Sequence, residues 1–140
     1  MTTLMVPTVE PARPEDTDAI LALLYSRPGS FAETWHPVDG AQVLVVRDAQ
    51  GIAAFAMGRA FPNQHMVIVD QVELEWSADG PTRRGRRALA AFERWLHQEV
   101  EARGWKVVSV VSSENERHMV ALRARGYREV ARVFIRETKG

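Results

Sequence analysis

The stretch Gly80-Pro81-Thr82-Arg83-Arg84-Gly85-Arg86-Arg87-Ala88-Leu89 separates a β-type run, His65 to Trp76, from a helical run, Leu89 to Arg103. The strongly β-branched segment Trp105 to Val111 follows. Strand, basic turn, helix and strand in that order read as a β-α-β unit. Four arginines therefore surround the N-terminus of a predicted helix. That end carries about half a positive charge and favours acidic side chains, each worth roughly 0.3–1 kcal/mol. A bound phosphate would compensate, because a glycine-containing turn, a helix N-terminus and arginines together make an anion site. The competing reading is a solvated basic turn, screened by water and salt.

Working back from the turn, Gln42 to Arg47 and Ile52 to Ala60 are apolar, strand-like runs joined by Asp48-Ala49-Gln50-Gly51. Such a turn suits a hairpin, with Gly51 free to take positive φ. Phe61-Pro62-Asn63-Gln64 is the next turn, so His65 to Trp76 becomes the third strand of an antiparallel meander. Without a bulge, that strand places Ile68, Asp70, Val72, Leu74 and Trp76 on one face. Val67, Val69, Gln71, Glu73 and Glu75 then share the other. Further upstream, Met5 to Ala12 contains Pro7 and Pro11, which restricts it to a sheet edge. Arg13-Pro14-Glu15-Asp16 opens a helix with Ile20, Leu21, Leu23 and Leu24 on its apolar face, and Arg27-Pro28-Gly29 ends it. Ser30 to Gly40 reads as a short helix or an ordered loop; its aromatics Phe31 and Trp35 either pack or line a cleft.

Beyond the turn, Leu89, Phe92, Leu96 and Val100 repeat at helical spacing, and Arg103-Gly104 supplies a basic end and a C′ glycine. Ser113-Glu114-Asn115-Glu116 fits a capping box for a helix that runs to Arg125 and stops at Gly126. Tyr127 to Glu137 is a last strand. The expected fold is a three-layer α+β domain over residues 1–140. Its central sheet is mixed and mostly antiparallel, with a splayed β-α-β unit flanked by helices.

Composition narrows the function. The chain has 140 residues, 46% hydrophobic and 26% charged, an ordinary globular balance. Its net charge is zero, so no global field draws it to nucleic acid or membrane. The absence of cysteine excludes disulfides, thiolate chemistry and cysteine-based metal sites. Histidine, aspartate and glutamate show no metal-ligand spacing, so no metal is expected. No run of about 18 apolar residues spans a membrane, and the first residues lack a signal-peptide pattern. A cytoplasmic location is expected.

Three places resemble the GNAT acetyltransferase superfamily, together spanning nearly the whole chain. The opening Val9-Glu10-Pro11-Ala12-Arg13-Pro14-Glu15-Asp16, leading to Ala19-Ile20-Leu21, resembles the family's strand, alanine, aspartate and helix. Near the end, family members often read asparagine, alanine at +3, tyrosine at +7 and Gly-Phe at +11 and +12. Asn115, His118, Leu122 and Gly126-Tyr127 stand at those offsets. The family's pyrophosphate loop is Gln or Arg, two residues, Gly, one residue, Gly or Ala. Anchoring on Gly85 puts Thr82 first and Arg87 last, while anchoring on Arg83 puts Arg86 at the first glycine and Ala88 last. The string Arg83 to Leu89 also resembles an Arg-Gly-Gly-Arg-Ala variant of GNAT-like bacteriophage proteins.

The resemblance implies acetyl-CoA as co-substrate, its diphosphate cradled by Arg83, Arg84, Gly85, Arg86, Arg87 and Ala88, with Asn115 also at the cofactor. Leu74 and Glu75, at the splayed strand end, would hydrogen-bond the pantetheine arm and the thioester. It also implies acetyl transfer to a small-molecule or protein amine. That chemistry needs a base, oxyanion donors and an acid for the leaving thiolate. Glu73 and Glu75 are the base candidates by location, against the plainer reading of solvent-facing strand acids. The family's usual acid is the tyrosine at +7, and Leu122 replaces it; leucine donates no proton. The alternative is therefore a GNAT-fold binding or structural protein without catalysis, such as a virion component with a viral assembly partner. Exposed edge strands also leave room for a homo-oligomer. Nucleic acid is not expected, since no aromatics interleave the arginines.

Overall fold

The computed structural model describes residues 7–26, 40–110, 116–130 and 136. The prolines place β1 (Thr8–Pro11) at the sheet edge, where it pairs antiparallel with β2 (Gln42–Asp48). β2 turns into β3 (Gly51–Phe61), with Gly51 at φ +116°. A 3-10 turn, Pro62–Gln64, and a left-handed His65 lead into β4 (Met66–Leu74). Then come the short strands β5 (Trp76–Ser77) and β6 (Gly80–Pro81), helix α2 (Arg83–Glu99) and β7 (Lys106–Ser109). The main sheet runs β1-β2-β3-β4-β7, antiparallel except for the parallel β4–β7 pair. The mixed, mostly antiparallel sheet and the β-α-β unit are those the sequence leads one to expect.

Helices cover both faces. A 3-10 turn, Pro14–Asp16, precedes α1 (Thr17–Ser26), and the Asp16 carboxylate accepts the Arg13 N–H at 2.9 Å. Ile20, Leu23 and Leu24 of α1 pack in one core cluster with Val45, Ile52 and Phe55. On the opposite face Ala88, Ala91, Phe92 and Leu96 of α2 cluster with Val46, Ala54, Ala56 and Val69. Phe55 and Leu96 are fully buried, and burying a side chain of that size contributes about 1.5–3 kcal/mol.

The chain divides into two compact units, Met1–Val110 and Val111–Gly140. The second holds α3 (Glu116–Ala124), whose one buried residue is Leu122. Gly126 ends this helix at φ +91°. The start of the capping box at Ser113, with Asn115, lies outside the described residues, as do positions 30–39. Tyr127 to Val130, the described start of the expected last strand, carry no strand pairing among the described residues.

Three expectations are corrected. The helix after the arginines begins at Arg83, not Leu89. Thr82 is its N-cap, accepting the Gly85 N–H at 3.0 Å, so the arginines form the first helical turns. Arginine is a good helix former, and a threonine cap supplies what the missing acids do not. The buried stripe is accordingly Gly85, Ala88, Phe92 and Leu96, with Leu89 only half-buried.

Second, the long third strand stops at Leu74. Trp76–Ser77 folds back on Gly80–Pro81 as a two-stranded hairpin. Third, a bulge interrupts β4. Val69 pairs with Gly58 but Gln71 pairs with Met57, so Asp70 is an extra residue. One extra residue exchanges the faces beyond it. Val67 and Val69, then Val72 and Leu74, all pack against the α2 cluster. Gln71 and Glu73 therefore point to the α1 side, and Glu75, just past the strand, lines the cavity beside α1.

Candidate anion site at the start of α2

Gly85 sets how closely α2 approaches the sheet. A Cβ there would lie 2.6 Å from the Glu75 carbonyl oxygen and 3.3 Å from the Leu74 Cβ. Only glycine lets the helix start sit on the end of β4. Ala88, one turn on, is completely buried. Gly85 and Ala88 thus serve the packing of the helix on the sheet, and their side-chain faces point inward.

The arginines divide into two kinds. Arg84 is drawn in: its Nε and Nη2 donate to the Asp48 carboxylate at 2.7 and 2.9 Å, and its Nη1 donates to Glu75 Oε2 at 2.6 Å. The Arg84 guanidinium holds the Asp48 carboxyl below the usual aspartate range, and Asp48 in turn raises the guanidinium's pKa. Arg83, Arg86 and Arg87 are exposed. Arg86 donates to the Pro81 carbonyl at 3.2 Å, and the positive charge of Arg87 adds to the lowering at Asp48. The first helical turn contains no acid. Its first amides, at Arg83 and Arg84, have no acceptor within the helix. Three outward guanidinium groups and a helix N-terminus are the parts of an anion site.

The end of β4 is arranged for two directions. The Glu75 N–H donates to Ala53 at 2.9 Å, and the Glu75 carbonyl accepts the Thr82 N–H at 3.0 Å. Antiparallel ladders alternate, so the Leu74 amide faces away from β3, toward the side where β7 pairs. β7 accompanies β4 only as far as Val69↔Ser109, with a further Val110 N–H to Val69 bond at 3.0 Å. From Asp70 to Leu74 that edge of β4 has no partner strand among the described residues. Of the two expected backbone donors, Leu74 points to the open edge, and the amide of Glu75 is taken up by the sheet.

The two candidate bases also differ. Glu75 Oε1 accepts the Thr82 hydroxyl at 2.8 Å and Oε2 accepts Arg84, so both oxygens are held. Glu73 is buried, with Gln71 Nε2 at 3.4 Å from its Oε1. A cavity of about 370 Å³ opens between α1 and the β2–β3 turn, lined by Asp16, Ala19, Leu23, Arg47, Ile52 and Glu75 among others. Neither Asp48, the carboxylate partner of Arg84, nor the bulge at Asp70 was singled out from sequence. A charged residue at a hairpin turn ordinarily faces water, and nothing local marks an inserted residue in a β-branched run.

Among the described residues, no three His, Asp or Glu side chains gather to hold a metal, and no helix is long and apolar enough to cross a membrane. No family model matches the sequence. No curated protein matches it by sequence either. Solved structures do match. The ribosomal-protein-S18-alanine N-acetyltransferase from Escherichia coli aligns at TM-score 0.64 and 17% identity, over 89% of this chain and 79% of that one. An aminoglycoside 6′-N-acetyltransferase from Acinetobacter baumannii aligns at 0.63 and 13%, over 96% and 99%. An aminoglycoside N-acetyltransferase in complex with CoA aligns at 0.61 and 15%, over 100% and 99%. Strand order, the parallel β4–β7 step and these alignments lead to one conclusion: the chain has the fold of the GNAT acetyltransferases.

Proposed function

We propose that this protein is a GNAT-type N-acetyltransferase that moves the acetyl group of acetyl-CoA to an amine, with residues 1–140 acting as one domain. The observation that carries the reading is the start of α2. A threonine-capped helix N-terminus bearing three outward arginines stands beside the end of β4, whose edge beyond Val69 has no partner strand among the described residues, in a fold shared with acetyltransferases. A CoA diphosphate supplies the negative charge this end favours, and Arg83, Arg86 and Arg87 meet it with paired donors. The thioester carbonyl lies along the open edge of β4, where the Leu74 amide donates to the oxyanion as charge develops.

The amine approaches from the α1 side, where the bulge has turned Glu73. Glu73 is the proposed base, since it is buried on the face of β4 from which the amine approaches. The amine attacks the acetyl carbonyl carbon, Glu73 takes its proton, and the C–S bond breaks to release the CoA thiolate. The cavity beside α1 and Glu75 is the proposed acceptor entrance, of a size for a small amine. A cytoplasmic location is part of the proposal, since acetyl-CoA is found there.

The test is calorimetry with acetyl-CoA, followed by thiol release across an amine panel. Binding with thiol release supports the reading. No binding at millimolar acetyl-CoA overturns it, and binding without release leaves the catalytically inactive alternative. Within an active enzyme, Glu73→Gln should lower kcat by 10²–10⁴-fold, about the size of a general-base contribution, with the acetyl-CoA affinity kept.

A further inference from the structure

Asp48 lies in the β2–β3 turn and Arg84 in the first turn of α2, 36 residues apart. Their side chains meet in a two-pronged bond, Nε to Oδ2 at 2.7 Å and Nη2 to Oδ1 at 2.9 Å. Both are mostly shielded, Arg84 at 20% and Asp48 at 18% side-chain exposure. The geometry is the fork that arginine makes with a carboxylate, which fixes orientation as well as attraction. The third nitrogen, Nη1, goes to Glu75, whose other oxygen holds the hydroxyl of the N-cap Thr82. Three segments therefore converge on one guanidinium: the hairpin turn, the end of β4 and the cap of α2. Each of the three guanidinium nitrogens thus donates to one of the protein's own carboxylates.

We propose that Asp48 is a positioning residue for the anion-binding turn: through Arg84 it sets where α2 begins relative to the open edge of β4. The proposal rests on the functional reading above and adds a residue that touches neither co-substrate. Its logic is geometric. Gly85 fixes how near the helix start lies to β4, and Ala88, Phe92 and Leu96 seat the later turns on the sheet, but the glycine has no side chain with which to hold the first turn laterally. The Asp48–Arg84 fork ties that first turn to the β2–β3 turn, so the Arg83 and Arg84 amides and the outward arginines keep one aim. Arg84 itself then acts as a strut between α2 and two strands, and the diphosphate is left to Arg83, Arg86 and Arg87.

The substitution Asp48→Asn separates positioning from charge, because the two have opposite signs. Removing an acid from an anion site by itself strengthens anion binding. Loosening the helix start weakens it. The expected result is a dissociation constant and KM for acetyl-CoA raised on the order of tenfold, with the amine's KM unmoved. Arg84→Lys, which keeps the charge and loses the fork, should give the same change. The double variant should be no worse than either single, the mark of two residues acting through one bond. Asp48→Glu keeps both oxygens on a longer stem and should show a smaller loss; it carries the test if Asp48→Asn does not fold. Tighter acetyl-CoA binding by Asp48→Asn overturns the proposal. So does unchanged binding with a lowered melting temperature, which would leave the pair a plain structural bridge. If the unaltered protein binds no acetyl-CoA, the functional reading fails and the proposal with it. If it binds and Asp48→Asn binds equally, only the positioning role fails.

Discussion

A Cβ on Gly85 would stand 2.6 Å from the carbonyl oxygen of Glu75, closer than real carbon–oxygen contacts allow. The obstacle is backbone, which cannot swing aside as a side-chain tip would. Gly85→Ala gains about 1 kcal/mol of helix propensity and loses about 1–3 kcal/mol to overpacking. The net change should be destabilising, and the start of α2 should move off β4. Urea unfolding of the variant reads the first, and acetyl-CoA calorimetry the second. A variant more stable than the original protein would show that the helix start is not seated on β4.

The ion pair Arg47–Asp16 joins the turn before α1 to the second strand, with Asp16 only 5% exposed. Arg47→Met removes two charge-assisted hydrogen bonds from a buried carboxylate and should cost about 1.5–3 kcal/mol. The Arg13 N–H and then Arg47 hold the Asp16 carboxyl below its usual range, against the opposing effect of burial. Its native pKa is depressed, so its contribution to stability is complete above the unfolded value, about 3.9. That contribution is lost as pH falls through the lower native value. Asp48, held down by Arg84, behaves the same way. The stability gap between the original protein and Asp16→Asn should thus narrow in acid, which unfolding curves between neutral pH and pH 2 will show.

Asp70 has two roles that substitution and deletion should separate. As a side chain it pairs with Arg59, at 2.7 and 2.9 Å. Arg59 is 35% exposed at the side chain, so Asp70→Asn should cost within about 1 kcal/mol. As a residue it is the extra link that turns Gln71 and Glu73 toward α1. Deleting it would aim Gln71 and Glu73 at the α2 core and should prevent folding, as judged by circular dichroism and solubility. A folded deletion variant would refute the assignment of the bulge.

The outward arginines should respond to small anions. Phosphate or sulfate should raise the melting temperature more than chloride at equal ionic strength, by mass action on the folded state. The excess should shrink in Arg83→Ala and Arg86→Ala. Equal effects of the three salts would indicate a solvated basic turn.

The layered fold was legible because its signals are local. Pro7 and Pro11 mark an edge, Asp48 to Gly51 a turn, and Phe92, Leu96 and Val100 a buried helical stripe. The site was legible only in part. The arginine run is plain in sequence, but its division into Arg84 inside and Arg83, Arg86 and Arg87 outside depends on Asp48 and Glu75, which arrive from other strands. The helix start was placed six residues late, because a basic first turn violates the usual charge preference and Gly85 resembles a breaker. The bulge went unread, since Asp70 alternates as any strand residue would.

Because the Asp48–Arg84 fork closes a gap of 36 residues, it cannot form while α2 stands alone. Both hairpins of the meander must zip first, and such distant pairings come late, after the entropy of loop closure is met. An isolated α2 peptide would therefore carry all four arginines and still lack their final aim. In a refolding time course, the proposed binding of a diphosphate should appear only with the last kinetic phase, behind the gain of helix seen by circular dichroism.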